Sequence, residues 1–304
     1  MYLRAVERLV LDVDGEHFET LTVGPTDGPT ALFLHGFPDL PASWTGVMQR
    51  FASHGWRCVA PFMRGYPPST TGGPFDLDRL GRDVIGFANA LGGRRRPFLV
   101  GHDWGAAAAW FATLRAPLRF AAACTMAVPH PVAFARGAMR PSQLWRSRYM
   151  LGLQVRSIDR AGIERLWRRW SPGFEPPAAH LDAVAAAIHE ARDAPLNYYR
   201  AIPRPPRLVW LRFVDRERAT VRIPMLYLHG LDDGCVGIEV ARGQDRLVDA
   251  PHRIEVLFGA GHFVQLEKPD EVADRALRFF ETYAEPASQS DQGPTRPKRI
   301  GVTT

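Results

Sequence analysis

The residues best placed to do chemistry are Gly101-His102-Asp103-Trp104-Gly105. An apolar run, Phe98–Val100, leads directly into them, and an alanine-rich helical run, Ala106–Leu114, follows. A glycine two residues either side of a central side chain permits a sharp strand-to-helix reversal that lifts that side chain above a sheet edge. The helix N-terminus behind it favours negative charge. No serine of the chain sits between two such glycines, which disfavours a serine esterase. The central residue is Asp103. A carboxylate that attacks an acyl carbon gives an anhydride, a poor route; one that attacks a saturated carbon gives an ester. The leaving group must then be strained or stable, such as an epoxide oxygen or a halide. Water must next attack the carbonyl carbon of the ester, which calls for a general base and an oxyanion hole.

His262 is the candidate base. It follows a strand-like run, lies in the glycine-rich loop Gly259-Ala260-Gly261, and comes late in the chain. An imidazole there can deprotonate water near neutral pH. Asp233, in His229-Gly230-Leu231-Asp232-Asp233, is the candidate to orient it, with Asp232 as its rival. His35-Gly36-Phe37-Pro38 ends an earlier strand. The backbone N–H groups of Phe37 and Trp104 are the candidate oxyanion hole. The side chains of Trp104, His35 and Pro38 are candidate walls of the substrate site, and the Trp104 indole could also serve a halide. Each pattern is weak alone. Four of them at successive strand ends, in the order nucleophile, acid, histidine, have the chain order of the α/β-hydrolase fold.

The elements that must position these residues can be read from periodicity. Val6–Leu11 and Phe18–Val23 flank the turn Asp14-Gly15 as a hairpin. Strand runs are expected at Ala31–Leu34, Cys58–Phe62, Phe98–Val100, Ala121–Val128, Met225–Leu228 and Ile254–Phe258. Helices are expected at Ala42–Ala52, Leu77–Leu91, Ala106–Leu114, Ile238–Leu247 and Pro269–Tyr283. The alternation predicts an α/β protein with a mostly parallel central sheet and helices on both faces. It breaks at Pro129. From there to about Val221 the chain reads mainly helical, with no clear strand run until Leu208. Ile163, Leu166, Trp167 and Trp170 form a stripe expected to pack the core of a lid. Residues 1–128 and 222–284 are thus expected to form the core, 129–221 an inserted helical cap, and 285–304 a disordered tail.

At 304 residues the chain suits one large core with an insertion, and 46% hydrophobic with 23% charged residues excludes global disorder. The net charge of +6 comes from 38 basic and 32 acidic residues, and all but Lys268 and Lys298 of the basic ones are arginine. The charges are interleaved without a basic stripe, so no nucleic-acid partner is expected, and Arg94-Arg95-Arg96 reads as a solvated turn. Cys58, Cys124 and Cys235 form no C-x-x-C pair and read as free thiols of a reducing compartment. The polar N-terminus, with Arg4, Glu7 and Arg8, does not read as a signal peptide, and no apolar run reaches bilayer length. A cytoplasmic location and no membrane partner are the expectation. The histidines show no zinc spacing, and no metal or cofactor is implied.

On the four motifs quoted, the chain resembles α/β-hydrolases of the epoxide hydrolase type over roughly residues 5–284. The resemblance implies opening of an epoxide to a vicinal diol, with two lid tyrosines holding the oxygen. Tyr199, in Leu196-Asn197-Tyr198-Tyr199-Arg200, matches the second, with Tyr198 as a fallback; Tyr149, in Ser147-Arg148-Tyr149-Met150-Leu151, resembles the first. A phenol is a neutral donor at pH 7, suited to a developing alkoxide. The expected partner is a small apolar epoxide, and the expected assembly a monomer or homodimer. The alternatives are a haloalkane dehalogenase with Trp145, Trp167 or Trp170 as second halide donor, a biosynthetic hydrolase on this scaffold, and a non-catalytic ligand binder. Ala106 stands where the family commonly has a further glycine, and Ala127-Val128-Pro129-His130-Pro131 lacks an asparagine often found there.

Overall fold

The computed structural model of the chain describes residues 5–93, 95–202 and 219–284. Arg94, the run at Leu208 and the tail 285–304 lie outside them. The described residues form one eight-stranded sheet in the order β1-β2-β4-β3-β5-β6-β7-β8. The strands are β1 (Glu7–Val13), β2 (Glu16–Val23), β3 (Thr30–Leu34), β4 (Arg57–Pro61), β5 (Phe98–His102), β6 (Ala123–Met126), β7 (Met225–Gly230) and β8 (His252–Leu257). β1 and β2 are antiparallel, turning at Asp14 and Gly15, both at positive φ. From β4 to β8 every pairing is parallel. The sheet is therefore mostly parallel, as the alternation of elements predicts.

Period-two alternation assigns each strand residue to a face. In β3, Leu32 and Leu34 join one buried cluster, which includes residues of α2 (Leu77–Ala90) and α3 (Trp104–Arg115). Ala31 and Phe33 join the other, under α1 (Thr45–Ser53) and the helix Pro269–Glu281. Both faces are covered, which is why the central strands read as continuous apolar runs. α2 begins where the Asp76 side chain accepts from the N–H groups of Asp78 and Arg79.

Two local expectations change. The helix expected over Ile238–Leu247 is a pair of 3₁₀ turns, Ile238–Ala241 and Gln244–Leu247, because Gly243 between them is left-handed at φ 80°. β6 stops at Met126, where Ala127 takes φ 64° and ends the ladder. Between β6 and β7 the chain carries α4 (Pro131–Gly137), α5 (Pro141–Arg146), α6 (Tyr149–Leu153), α7 (Arg160–Trp170), α8 (Ala178–Glu190) and α9 (Asn197–Arg200). Ile163, Trp167 and Trp170 of the α7 stripe are fully buried, with Trp167 stacked on Phe263 at 3.6 Å.

Candidate active site

Parallel strands deliver their following loops to one edge, the carboxyl end, where ligand sites of such sheets lie. Asp103 ends β5, Asp233 follows β7, and His262 follows β8. Asp103 sits at φ 52°, ψ −120°, a strained conformation for a residue with a Cβ, held by a hydrogen bond from its N–H to Met126 O. The surrounding glycines are obligatory. A Cβ on Gly105 would lie 2.1 Å from Leu34 O, and one on Gly36 would lie 2.4 Å from Asp103 Cβ.

Phe37 N–H donates to Asp103 Oδ1 at 2.8 Å. His262 Nδ1 meets Asp233 Oδ2 at 2.9 Å, and its Nε2 faces Asp103 Oδ2 at 3.5 Å. Of the two acids, Asp233 is the one at the imidazole; Asp232 is exposed. Asp233 Oδ1 is fixed in turn by the N–H groups of Cys235 and Val236. Trp104 opens α3 directly after Asp103, whose side chain makes no cap hydrogen bond to that helix; of the two expected donors, Phe37 N–H is the one on the carboxylate.

The electrostatics follow from two carboxylates on one buried imidazole. Burial opposes charge on His262, but Asp233 and Asp103 override it and push the imidazole up to about 10. Burial would raise Asp233; His262 and His229 hold it below the usual carboxylate range. Both neighbouring acids therefore favour the protonated form of the imidazole.

Aromatic residues cover the carboxylate. The Tyr199 ring meets Phe37 at 5.1 Å, Trp104 at 5.2 Å and Tyr149 at 5.9 Å between centroids. The Tyr199 hydroxyl is buried beside Trp104 and Tyr149 yet makes no well-formed hydrogen bond to the protein. Tyr149 O–H has a weak partner in Cys235 Sγ at 3.5 Å. Burial, with the Asp103 charge added, pushes both phenols well above their ordinary range, so both are neutral donors. Tyr198, the fallback, turns away and donates to Arg64 O.

Other expected residues serve differently. Both ring nitrogens of His35 are engaged by backbone, one accepting from Met63 N–H at 3.0 Å and the other donating to Gly36 O at 2.9 Å. Burial lowers it to about 4. His35 is therefore a neutral brace for the loop, with no polar atom left for a substrate. Pro38 O accepts from Trp167 Nε1 at 3.1 Å, which removes Trp167 as a halide donor. Trp145 is 67% exposed and stands outside the site. Trp170 Nε1 is buried without a protein partner, and its ring contacts His262 and Tyr149.

Several supports escaped the sequence reading. Asp39, fully buried, pairs with His180 of α8 at 2.8 Å and accepts from Gln265 Nε2 at 3.2 Å; Gln265 reaches His102, which donates to His262 O at 2.9 Å. Trp170 O, at the end of α7, accepts from the N–H groups of both Gly234 and His262. Glu267 clasps the histidine loop through Gly261 N–H and Ser171 Oγ. Asp39 follows a quoted motif and His102 lies within one, so both could have been found there. No spacing rule connects them to His180 or Gln265.

Fold and site together define an α/β hydrolase with a carboxylate at the sharp turn where β5 enters α3. A model of the alpha/beta hydrolase family matches residues 31–275, and the chain belongs to that family as an epoxide hydrolase-like member. Epoxide hydrolase A of Mycobacterium tuberculosis is 28% identical, over 90% of this chain and 97% of its own length. An epoxide hydrolase of Caballeronia sordidicola is 32% identical, over 84% of this chain and 88% of its own. The crystal structure of epoxide hydrolase A from Mycobacterium thermoresistibile superimposes with a TM-score of 0.75 at 25% identity, covering 92% of this chain and 99% of that one.

Proposed function

We propose that the protein is an epoxide hydrolase that opens its substrate to a vicinal diol through a covalent ester on Asp103. The curated relatives support the reaction class. The observation that carries the mechanism is the division of labour on one carboxylate: Oδ1 held by Phe37 N–H, Oδ2 facing His262. Oδ2 attacks a ring carbon and the C–O bond breaks. Tyr149 and Tyr199 hold the oxygen and protonate the alkoxide, and His262 restores the proton. Oδ1 becomes the ester carbonyl, already seated on its donor.

Esterification also arms the base. It removes the Asp103 charge, one of the two that favour the protonated imidazole, so that once its proton has been given up the imidazole is better able to act as base. His262, oriented by Asp233, then takes a proton from water, and hydroxide adds to the ester carbonyl. Collapse expels the diol oxygen, which collects the acid proton, leaving Asp103 carboxylate and imidazolium as at the start. The described helices inserted between β6 and β7, α4 to α9, act as the cap, and α6 and α9 carry the two tyrosines. No metal or cofactor takes part, and the substrate is a small apolar epoxide that the aromatic cage around Asp103 suits.

A haloalkane dehalogenase is the second reading. The unpaired Trp170 N–H favours it, since with Trp104 it could hold a halide. The two phenols have no role there. A single turnover in heavy-oxygen water, with an epoxide and a chloroalkane compared, separates the readings. The ester route places label in the Asp103 carboxylate and leaves the first diol unlabelled. A labelled diol with unlabelled Asp103 rules that route out, and turnover of the chloroalkane alone favours the second reading.

A further inference from the structure

The inserted helices bury one face and leave the other bare. Val132, Ala133, Gln143 and Leu153 point inward, and Tyr149 reaches the site. On the outside, within residues 139–155, stand Met139 at 67% exposure, Leu144 at 51%, Trp145 at 67%, Leu151 at 75% and Val155 at 77%. They account for five of the eleven exposed large apolar side chains among the described residues. Isolated exposed apolar residues are ordinary; a run of large ones marks a contact surface.

The charge of the same segment says what it contacts. From Pro131 to Ile158 the sequence has five arginines and no aspartate or glutamate. Arg146 is neutralised by Glu239 at 3.0 Å. Arg136, Arg148 and Arg156 are exposed, Arg140 is half-buried, and Arg148 lies over the Trp145 ring at 3.7 Å. A second copy meeting this face about a two-fold axis would set like charges against each other. A nucleic acid has no use for exposed leucine, valine and methionine. Tryptophan and aliphatic side chains among arginines fit the boundary between headgroups and acyl chains of an anionic bilayer.

We propose that α5, α6 and the turns flanking them dock the protein on anionic lipid surfaces. This is a contact in the interface plane; no helix of the described residues is long and apolar enough to cross a membrane. It departs from the sequence-based expectation of no membrane partner. α6 carries Tyr149 on its inner side and Leu151 on its outer side, so docking sets the lipid surface directly over the site.

The test is cosedimentation of the full chain with phosphatidylglycerol vesicles and with phosphatidylcholine vesicles at low and physiological salt. Binding to the anionic vesicles, weakened by salt, is expected. Arg140→Ser and Arg148→Ser should each reduce it about fivefold. Trp145→Ala with Leu151→Ser should abolish it, while hydrolysis of a water-soluble epoxide stays at the wild-type rate and reports an intact fold. Equal binding of all variants, or none of the wild type to anionic vesicles, overturns the proposal. So does a concentration-dependent dimer that the same substitutions dissolve.

Discussion

Tyr199→Phe separates a residue kept for chemistry from one kept for packing. Its hydroxyl is buried and has no well-formed hydrogen bond to the protein, whereas the ring packs against Phe37, Trp104 and Tyr149. Phenylalanine keeps those ring contacts and deletes only the oxygen. A buried hydroxyl without a partner costs about 1–3 kcal/mol, so the fold should lose nothing and could gain up to that amount. At roughly 2–4 °C per kcal/mol for a chain near this size, the melting temperature should hold or rise by several degrees. The epoxide-opening step should move the other way. Loss of one of two preorganised donors to a developing oxyanion costs about 3–4 kcal/mol, or 10²–10³ in rate. Thermal unfolding and stopped-flow single turnover on the same preparation read both quantities. A variant that melts several degrees lower and opens the epoxide at the wild-type rate would show that the phenol packs and does not react.

Asp103→Asn should abolish turnover and remain folded, since its amide oxygen can still accept from Phe37 N–H; residual activity above about 1% of wild type would refute the nucleophile assignment. His262→Gln should open the epoxide once and stall, leaving an adduct equal to the substrate mass on the Asp103 peptide; steady turnover without adduct would reassign the base. Gly105→Ala drives a Cβ to 2.1 Å from Leu34 O and should destabilise by about 1–3 kcal/mol or more, seen as a lower urea midpoint. The imidazole of His262, raised to about 10 from 6.5, contributes stability that is complete below pH 6.5 and lost as pH rises through 10. Asp39 and Asp233, both held below the usual range, contribute stability present above about 4 and lost on acidification. The buried histidines with lowered values, such as His35 and His102, are neutral in both states above about pH 8, so unfolding midpoints between about pH 8 and 10 should fall with pH, and His262→Gln should flatten that slope.

The strands and the chemistry-bearing loops were legible because each leaves a local mark. A glycine where backbone must approach backbone, as at Gly101 and Gly105, is written within five residues. Apolar runs at Phe98 and Met225 mark strands covered on both faces. Chain order alone put the pair Asp232-Asp233 within reach of His262, and the choice of Asp233 needed the fold. Less visible was whatever depends on contacts distant in sequence. His35 looked like a substrate contact because it ends a strand; only the fold reveals that Met63 and Gly36 occupy both its nitrogens. Tyr198 and Tyr199 are adjacent in sequence, and helical rotation alone sends one hydroxyl to Arg64 O and the other towards Trp104. The Ile238–Leu247 helix failed on Gly243, a local signal outweighed by the apolar spacing around it.

One carbonyl oxygen, that of Trp170, fastens the loops of both Asp233 and His262 to the end of α7. Asp103 is 4% exposed and His262 fully buried, so passage of a reactant to the carboxylate asks for room overhead. A shift of α7 wide enough for that passage also slackens the grip on acid and imidazole together. Access to the site and the pairing of acid with imidazole are thereby tied to the position of one helix.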